Sequence, residues 1–283
     1  MESAIVPQRG EIEKGRPGVG VLARFGIVRL AGRKVIVDPW FYVVATVAVL
    51  IVGIAKGGLG GGIGVVSVPL MPMTVSPAQA AAIMLPILLV MDALAIRVYW
   101  RRWDWSFLRV LIPASLVGTV LGFLTFRYFS ADGLRALVGV ASLVYAFQYF
   151  TRSTSVVRKR PRTGSGIFWV ATSGFTSFSI HAGGPPLQAF LLAQRLDRTT
   201  FQATSALFFL VVNWSKVAPY AWLWQWSHDN LLTSLALLPL TPVGVTIGRR
   251  LHTAVNDDVF FRVVHAALFV IGVKLLDDAS AAV

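Results

Sequence analysis

Lys56-Gly57-Gly58-Leu59-Gly60-Gly61-Gly62-Ile63-Gly64 lies between two apolar runs, Trp40 to Ala55 and Val65 to Met73. Six of its nine residues are glycine. Each glycine costs a helix about 1 kcal/mol relative to alanine, so the helix that the flanking runs would form is interrupted here. In hydrocarbon, interrupted backbone is tolerated only where it is buried in protein or lines a wet cavity. The interruption also frees N–H groups at the start of the following helix, where the helix dipole favours an anion. Lys56 places a full positive charge beside them. A second interruption is written at His181-Ala182-Gly183-Gly184-Pro185-Pro186. Two interruptions in matching places mark a transporter binding site near the bilayer midplane.

The rest of the composition agrees with a membrane protein. Of 283 residues, 55% are hydrophobic and 14% charged, and the mean hydropathy is +0.68. Soluble domains carry about 25% charged residues, so a multi-span, all-α polytopic membrane protein is predicted. The chain has no cysteine, which excludes disulfides, thiolate metal sites and a thiol nucleophile. The net charge of +13 is concentrated between apolar runs, as in cytoplasmic loops under the positive-inside rule, so nucleic acid is not expected as a partner.

Residues 1–38 form a basic tail containing Lys14, Arg16, Arg24, Arg29, Arg33 and Lys34. It has no apolar core long enough for a signal peptide. Its Val19 to Val37 stretch alternates apolar and basic residues, which suits either a membrane-surface segment or a disordered one. A first repeat is predicted over 39–150, with spans at Trp40–Met73 (interrupted), Pro77–Trp100, Phe107–Phe126 and Leu134–Phe150. A basic linker, 151–166, carries Arg158-Lys159-Arg160-Pro161-Arg162. The second repeat, 167–277, has spans at Ile167–Ala193 (interrupted), Thr199–Trp224, Leu231–Arg249 and Val259–Leu276.

The two halves match. Gly60-Gly61 aligns with Gly183-Gly184, Gln79-Ala80 with Gln202-Ala203, and Tyr99 with Trp222, all 123 residues apart. Gly118 and Gly122 align with Gly244 and Gly248, 126 apart. Each such pair is a small-xxx-small motif that permits close helix packing. Placing the short basic loops in the cytoplasm requires Ile167–Ala193 to dip in and return, which inverts the second half relative to the first. The same rule puts residue 40 outside, and with it the basic tail, so the tail stays unplaced.

Lys56 to Pro69, read with Ala80-Ala81-Ala82-Ile83-Met84-Leu85-Pro86, resembles the glycine-rich first motif of the TauE/SafE sulfite exporter family. Ala182-Gly183-Gly184-Pro185-Pro186 resembles the second-half motif, and the resemblance covers about residues 40 to 276. It implies a transporter in the bacterial inner (cytoplasmic) membrane that moves sulfite, sulfonates, thiosulfate or related sulfur-containing anions. Lys56 and His181 stand outside the family's fixed pattern.

Ionisable groups inside spans are costly and functional by default. Lys56, Asp92, Arg97, His181 and Lys216 fit that description, and Arg97 is close enough to its span's basic end to snorkel. Lys274 and His265 read as structural. Asp92 aligns with Ser215, one residue before Lys216, so Asp92 and Lys216 are expected to pair across the repeat interface. That pair is either structural, or Lys216 neutralises the anion while Asp92 carries a coupling proton. An oxyanion such as sulfite or a sulfonate accepts hydrogen bonds at three oxygens, which suits backbone N–H groups, hydroxyls and one cation. The substrate-binding set is therefore Lys56, Gly60, Gly61, Gly62, Ser67, His181, Gly183, Gly184, Pro185, Asn213 and Lys216, with Ser177 and Ser179 as further donors. Such serines also bond their own helix carbonyls in many spans.

The tryptophans Trp100, Trp103 and Trp105, with Trp222, Trp224 and Trp226, suit interfacial belts. A membrane-embedded enzyme would need clustered histidines and carboxylates or a nucleophile. The four histidines, His181, His228, His252 and His265, offer no two at metal-ligand spacing. No enzyme activity, cofactor or metal is expected. The partners are a small anion and the bilayer, with a homodimer left open. A carrier of another anion on the same fold, and an anion channel, are the competing readings.

Overall fold

The computed structural model describes residues 38–59, 67–126, 163–191, 196–223, 226–254 and 257–281, the tail segments 27–30 and 33–36, and isolated positions between them. The chain divides into two compact units, Met1–Asp38 and Pro39–Val283. In the first unit Ile27–Leu30 (β1) and Arg33–Ile36 (β2) pair antiparallel, with Ile27 opposite Ile36 and Leu30 opposite Arg33. The apolar–basic alternation seen there has the two-residue period of a strand, and Ile27, Val28, Val35 and Ile36 are β-branched. The protein is thus nearly all helical rather than strictly all-α, and this part of the tail is a hairpin.

The second unit begins with α1, Pro39–Ile54, which runs into a wide π-type turn at Ala55–Leu59. After the glycines come α2 (Ser67–Leu70) with a tight turn at Met71–Met73, then α3 (Pro77–Val98) and α4 (Trp105–Phe126). Helical residues recur within 132–147, and the linker at 151–162 lies outside the described residues. The later helices are α5 (Thr163–Ile180), α6 (Gly184–Leu191), α7 (Arg198–Ser215), α8 (Val217–Trp222), α9 (His228–Leu237), α10 (Leu240–Ala254) and α11 (Asp257–Ser280).

Capping residues set several starts. Ser76 accepts from the Gln79 N–H, with Pro77 at the first helical position of α3. Ser227 caps α9 through Asn230. Asp197 caps α7 through Thr199 and Thr200. Hydrogen bonding from Thr200 holds the exposed Asp197 carboxyl below the usual carboxylate range.

Among the described residues, three helices are long and apolar enough to cross a membrane: Pro39–Gly58, Pro77–Val98 and Trp105–Phe126. A bent pair, His228–Leu237 with Leu240–Leu251, makes a fourth if counted as one span. The faces of α4 show what solvent surrounds it. Val117, Val120, Leu121 and Leu124 are each more than half exposed, while Ser115, Gly118, Thr119 and Gly122 are buried. Large apolar residues outward and small or hydroxylic residues inward is the arrangement expected in lipid, where helices gain little by hiding apolar surface from their surroundings.

Two helix crossings hold the bundle together. At α4 with α5, a Cβ on Gly118 would run into the Ala171 carbonyl, and one on Gly174 into the Ser115 carbonyl. At α1 with α10, a Cβ on Gly53 would come within 2.9 Å of Gly244 Cα, and one on Gly248 would strike the Ile54 carbonyl. Only glycine permits backbones this close.

Two predicted spans change shape. The run expected at Thr199–Trp224 is two helices, α7 and α8, separated by a turn at Lys216. The run expected at Leu231–Arg249 bends by 43° between α9 and α10, next to Pro239, which cannot donate within a helix. The linker expected through Gly166 ends earlier, because α5 begins at Thr163.

Candidate functional site

Side chains from other helices bond the carbonyls of the turn after α1. Tyr99 donates its hydroxyl to the Gly57 carbonyl at 2.6 Å. Gln202 donates to the carbonyls of Lys56 (2.7 Å) and Ala55 (3.3 Å). At the α5–α6 connection, Ser173 donates to Gly183 O (2.6 Å), Thr176 to Ala182 O (3.1 Å) and Tyr220 to Phe178 O (2.9 Å). Side chains thus satisfy described carbonyls at each of the two places, as buried backbone requires. His181 sits at φ 54° in this connection, a left-handed conformation that costs a non-glycine residue energy and that clusters at functional sites.

A cavity of about 60 Å³ lies between the interruptions. Several waters, or a small anion, would fill such a volume. Its polar wall consists of Lys56, Ser67, Ser177, His181 and Asn213, with Gly184 at the start of α6. Its apolar wall includes Val52, Met71, Met84, Leu88, Ile180 and Phe209. Lys56 is the only charged side chain lining it among the described residues, and its ammonium stands 5.0 Å from the centre of the Phe209 ring.

Behind the polar wall runs a continuous hydrogen-bonded chain. Lys56 is ion-paired with Asp92 Oδ1. Asn213 Nδ2 donates to Asp92 Oδ2 at 2.6 Å, and Asn213 Oδ1 accepts from the Lys216 ammonium at 2.8 Å. Lys216 also donates to Ser177 O (2.7 Å) and Ser177 Oγ (2.8 Å), with His181 Nδ1 at 3.2 Å. His181 Nε2 is 2.9 Å from the Ala81 carbonyl. That carbonyl can only accept, so Nε2 carries the proton and Nδ1 faces Lys216 as an acceptor. The ammonium and the carboxylate on either side fix the Asn213 amide orientation in the same way.

The expected Asp92–Lys216 ion pair is not formed. Asp92 pairs with Lys56, and Lys216 is engaged by neutral acceptors. Lys216 Nζ has three protons and four acceptors in reach, so it lies behind the cavity wall rather than in it. Lys216 stands at the junction of α7 and α8, with its backbone still in the helical region. Of the expected binding residues, the structure brings Lys56, Ser67, His181, Gly184 and Asn213 to the cavity. Ser67 already donates to Gly64 O at 2.7 Å, and Ser179 to Phe175 O at 3.0 Å within its own helix. Ser177, accepting from Lys216, keeps its own hydroxyl proton available. A Cβ on Gly183 would come within 2.7 Å of Ser173 O and Ser177 Cβ, so that glycine lets α6 pack on α5. Pro185 belongs to α6. Gly60, Gly61 and Gly62 lie outside the described residues.

Sequence reasoning missed Phe209 and used Gln202 only as a repeat marker. Both lie on one face of α7 with Asn213, at spacings of seven and four residues, and that helical period was the available signal. Arg97 is exposed, as snorkelling requires. Lys274 makes only a surface pair with Asp278, 3.4 Å away.

A family model described as Sulfite exporter TauE/SafE matches residues 45–275. The chain belongs to the TauE/SafE family. The match takes in both interruptions, every described wall residue of the cavity and the whole Lys56-to-Lys216 chain. TauE/SafE membership and the apolar helices together make this an integral membrane protein of a sulfur-anion exporter family. No curated protein and no solved structure matches the chain.

Proposed function

We propose that this chain is a secondary transporter of small sulfur-containing oxyanions, bound between the two interrupted helices and coupled to protons through Asp92. The observation that carries the reading is the cavity between the interruptions. It combines one lining cation, Lys56, with neutral side-chain donors from Ser177 and Asn213 and with Gly184, the one residue of the Gly184-Pro185-Pro186 start of α6 that has an N–H. One cation with neutral donors holds an oxyanion yet releases it, which a carrier must do. The membrane is taken to be the bacterial inner membrane.

We further infer that residues 39–150 and 167–277 are inverted repeats. The support is a set of contacts that occurs twice. Gly244 and Gly248 approach the carbonyls of Leu50 and Ile54, while Gly118 and Gly122 approach those of Ala171 and Phe175. Tyr99 bonds the Gly57 carbonyl, and Tyr220 bonds that of Phe178. The helix caps Ser76 and Asp197 follow the same rule. In each case the first two spans correspond at an offset of 121 (175 − 54, 178 − 57, 220 − 99, 197 − 76). That register moves the counterpart of Asp92 from Ser215 to Asn213, two residues that hydrogen-bond to each other.

Uptake of labelled sulfite, thiosulfate and short sulfonates into proteoliposomes, with and without a pH gradient, tests the function. Saturable uptake stimulated by the gradient is the expected result. Large unsaturable currents would replace the carrier with a channel, and no flux of any of these anions would overturn the substrate class.

A further inference from the structure

We propose that Lys56 is shared between Asp92 and the transported anion, so that the anion binds together with one proton on Asp92 and the two move in the same direction. The inference rests on the anion-carrier reading above and adds the sign and stoichiometry of its coupling.

Three observations lead to it. First, the only cation lining the cavity among the described residues is already taken. Lys56 is paired with Asp92, and the two side chains are 11% and 0% exposed. Second, the other nearby cation cannot substitute. The three protons of Lys216 are spoken for by Ser177, Asn213 and His181. Third, Asp92 keeps a partner when its charge is removed, because Asn213 still donates to Oδ2.

An anion that reaches Lys56 therefore meets a second negative group on the same ammonium. Like charges sharing one buried site disfavour each other, and protonating one of them relieves the conflict. The proton comes from solvent and forms an O–H bond at Asp92. Lys56 is released to the anion, and the neutral carboxyl gains a donor that an oxyanion oxygen can accept. Lys216, one hydrogen-bonded residue beyond Asp92, offsets part of that repulsion. The groups facing Asp92 are few. Lys56 comes from the turn after α1, Asn213 and Lys216 from the end of α7, and His181 from the α5–α6 connection, while α9 presents the neutral Ser234 to α3. Arg198 and Arg249 act on Tyr99, about two turns of α3 beyond Asp92. A monoanion carried with one proton moves no net charge.

The test uses the full chain in detergent, weakly buffered, with a pH indicator and with methanesulfonate and thiosulfate, neither of which titrates near neutrality. The wild type should take up about one proton per anion bound, and affinity should weaken up to about tenfold per pH unit as Asp92 loses its proton. Asp92→Asn should bind with no proton uptake and no pH dependence. His181→Gln should keep the one-proton stoichiometry whatever its affinity, which separates Asp92 from the neighbouring imidazole. Should Asp92→Asn not fold, infrared difference spectra of the wild type should still show a protonated carboxyl band on anion loading. Binding without proton uptake, or uptake that survives Asp92→Asn, would overturn this inference alone. Failure of both thiosulfate and methanesulfonate to bind the folded wild type would overturn the anion reading and this inference together.

Discussion

Removing Lys56 should destabilise the protein far more than removing a surface lysine, and removing Asp92 with it should restore much of the loss. Lys56→Met leaves the Asp92 carboxylate held only by Asn213. Asp92 is fully buried and the Lys56 side chain is 11% exposed, so the small values typical of solvent-exposed pairs do not apply. Breaking a buried pair from one side costs about 3–5 kcal/mol. For a chain of this size, about 2–4 °C of Tm accompanies each kcal/mol. The single variant should therefore melt on the order of 6–20 °C lower. In Lys56→Met/Asp92→Asn no charge is stranded, and Asn213 still has an amide oxygen to bond. The double variant should recover at least half of that drop, a coupling of over about 1 kcal/mol between the two positions. Tryptophan fluorescence melts in one detergent, at one scan rate, measure all four proteins; the chain has nine tryptophans. Additive effects, with the double variant as unstable as the sum of the singles, would refute the pairing of these two residues.

Two further predictions concern glycines and topology. Gly118→Leu and Gly174→Leu place side chains against the carbonyls of Ala171 and Ser115, so both should abolish the monodisperse peak in size-exclusion chromatography. Gly184→Val, at the cavity, should elute normally and bind no anion; normal elution of the first two would remove close packing as the reason for those glycines. Arg160→Cys and Arg249→Cys should be labelled by an impermeant thiol reagent only from the cytoplasmic side, and Asp229→Cys only from outside. Outside labelling of Arg160→Cys would reverse the orientation.

The sequence by itself determined the class of the protein and marked where its helices are expected to be interrupted. Both follow from local chemistry. Long apolar runs with few charges must be removed from water whatever their neighbours, and a string of glycines or an Ala-Gly-Gly-Pro-Pro segment weakens a helix from within. It also singled out Lys56, His181 and Asn213 as candidate binding residues, because polar groups in spans have few reasons to be there, and the three line one cavity. The glycine pairs Gly118/Gly122 and Gly244/Gly248 were legible as packing motifs, though not what they pack on. Tertiary structure alone decided the pairings. Asp92 bonds Lys56, 36 residues away, and Asn213, 121 away, and no periodicity within a single helix contains that information. The sequence alignment offset of 123 put Ser215 opposite Asp92, since it was set by motifs in the interruptions, where chain length can drift. Contacts between helices hold the offset at 121 because a hydrogen bond or a glycine-to-carbonyl contact tolerates no slip of two residues. Lys216 shows the same limit at closest range. Pro219, which has no N–H for the Ser215 carbonyl, writes the turn between α7 and α8 into the local sequence, but the placing of the ammonium against Ser177 and His181 is a contact between helices.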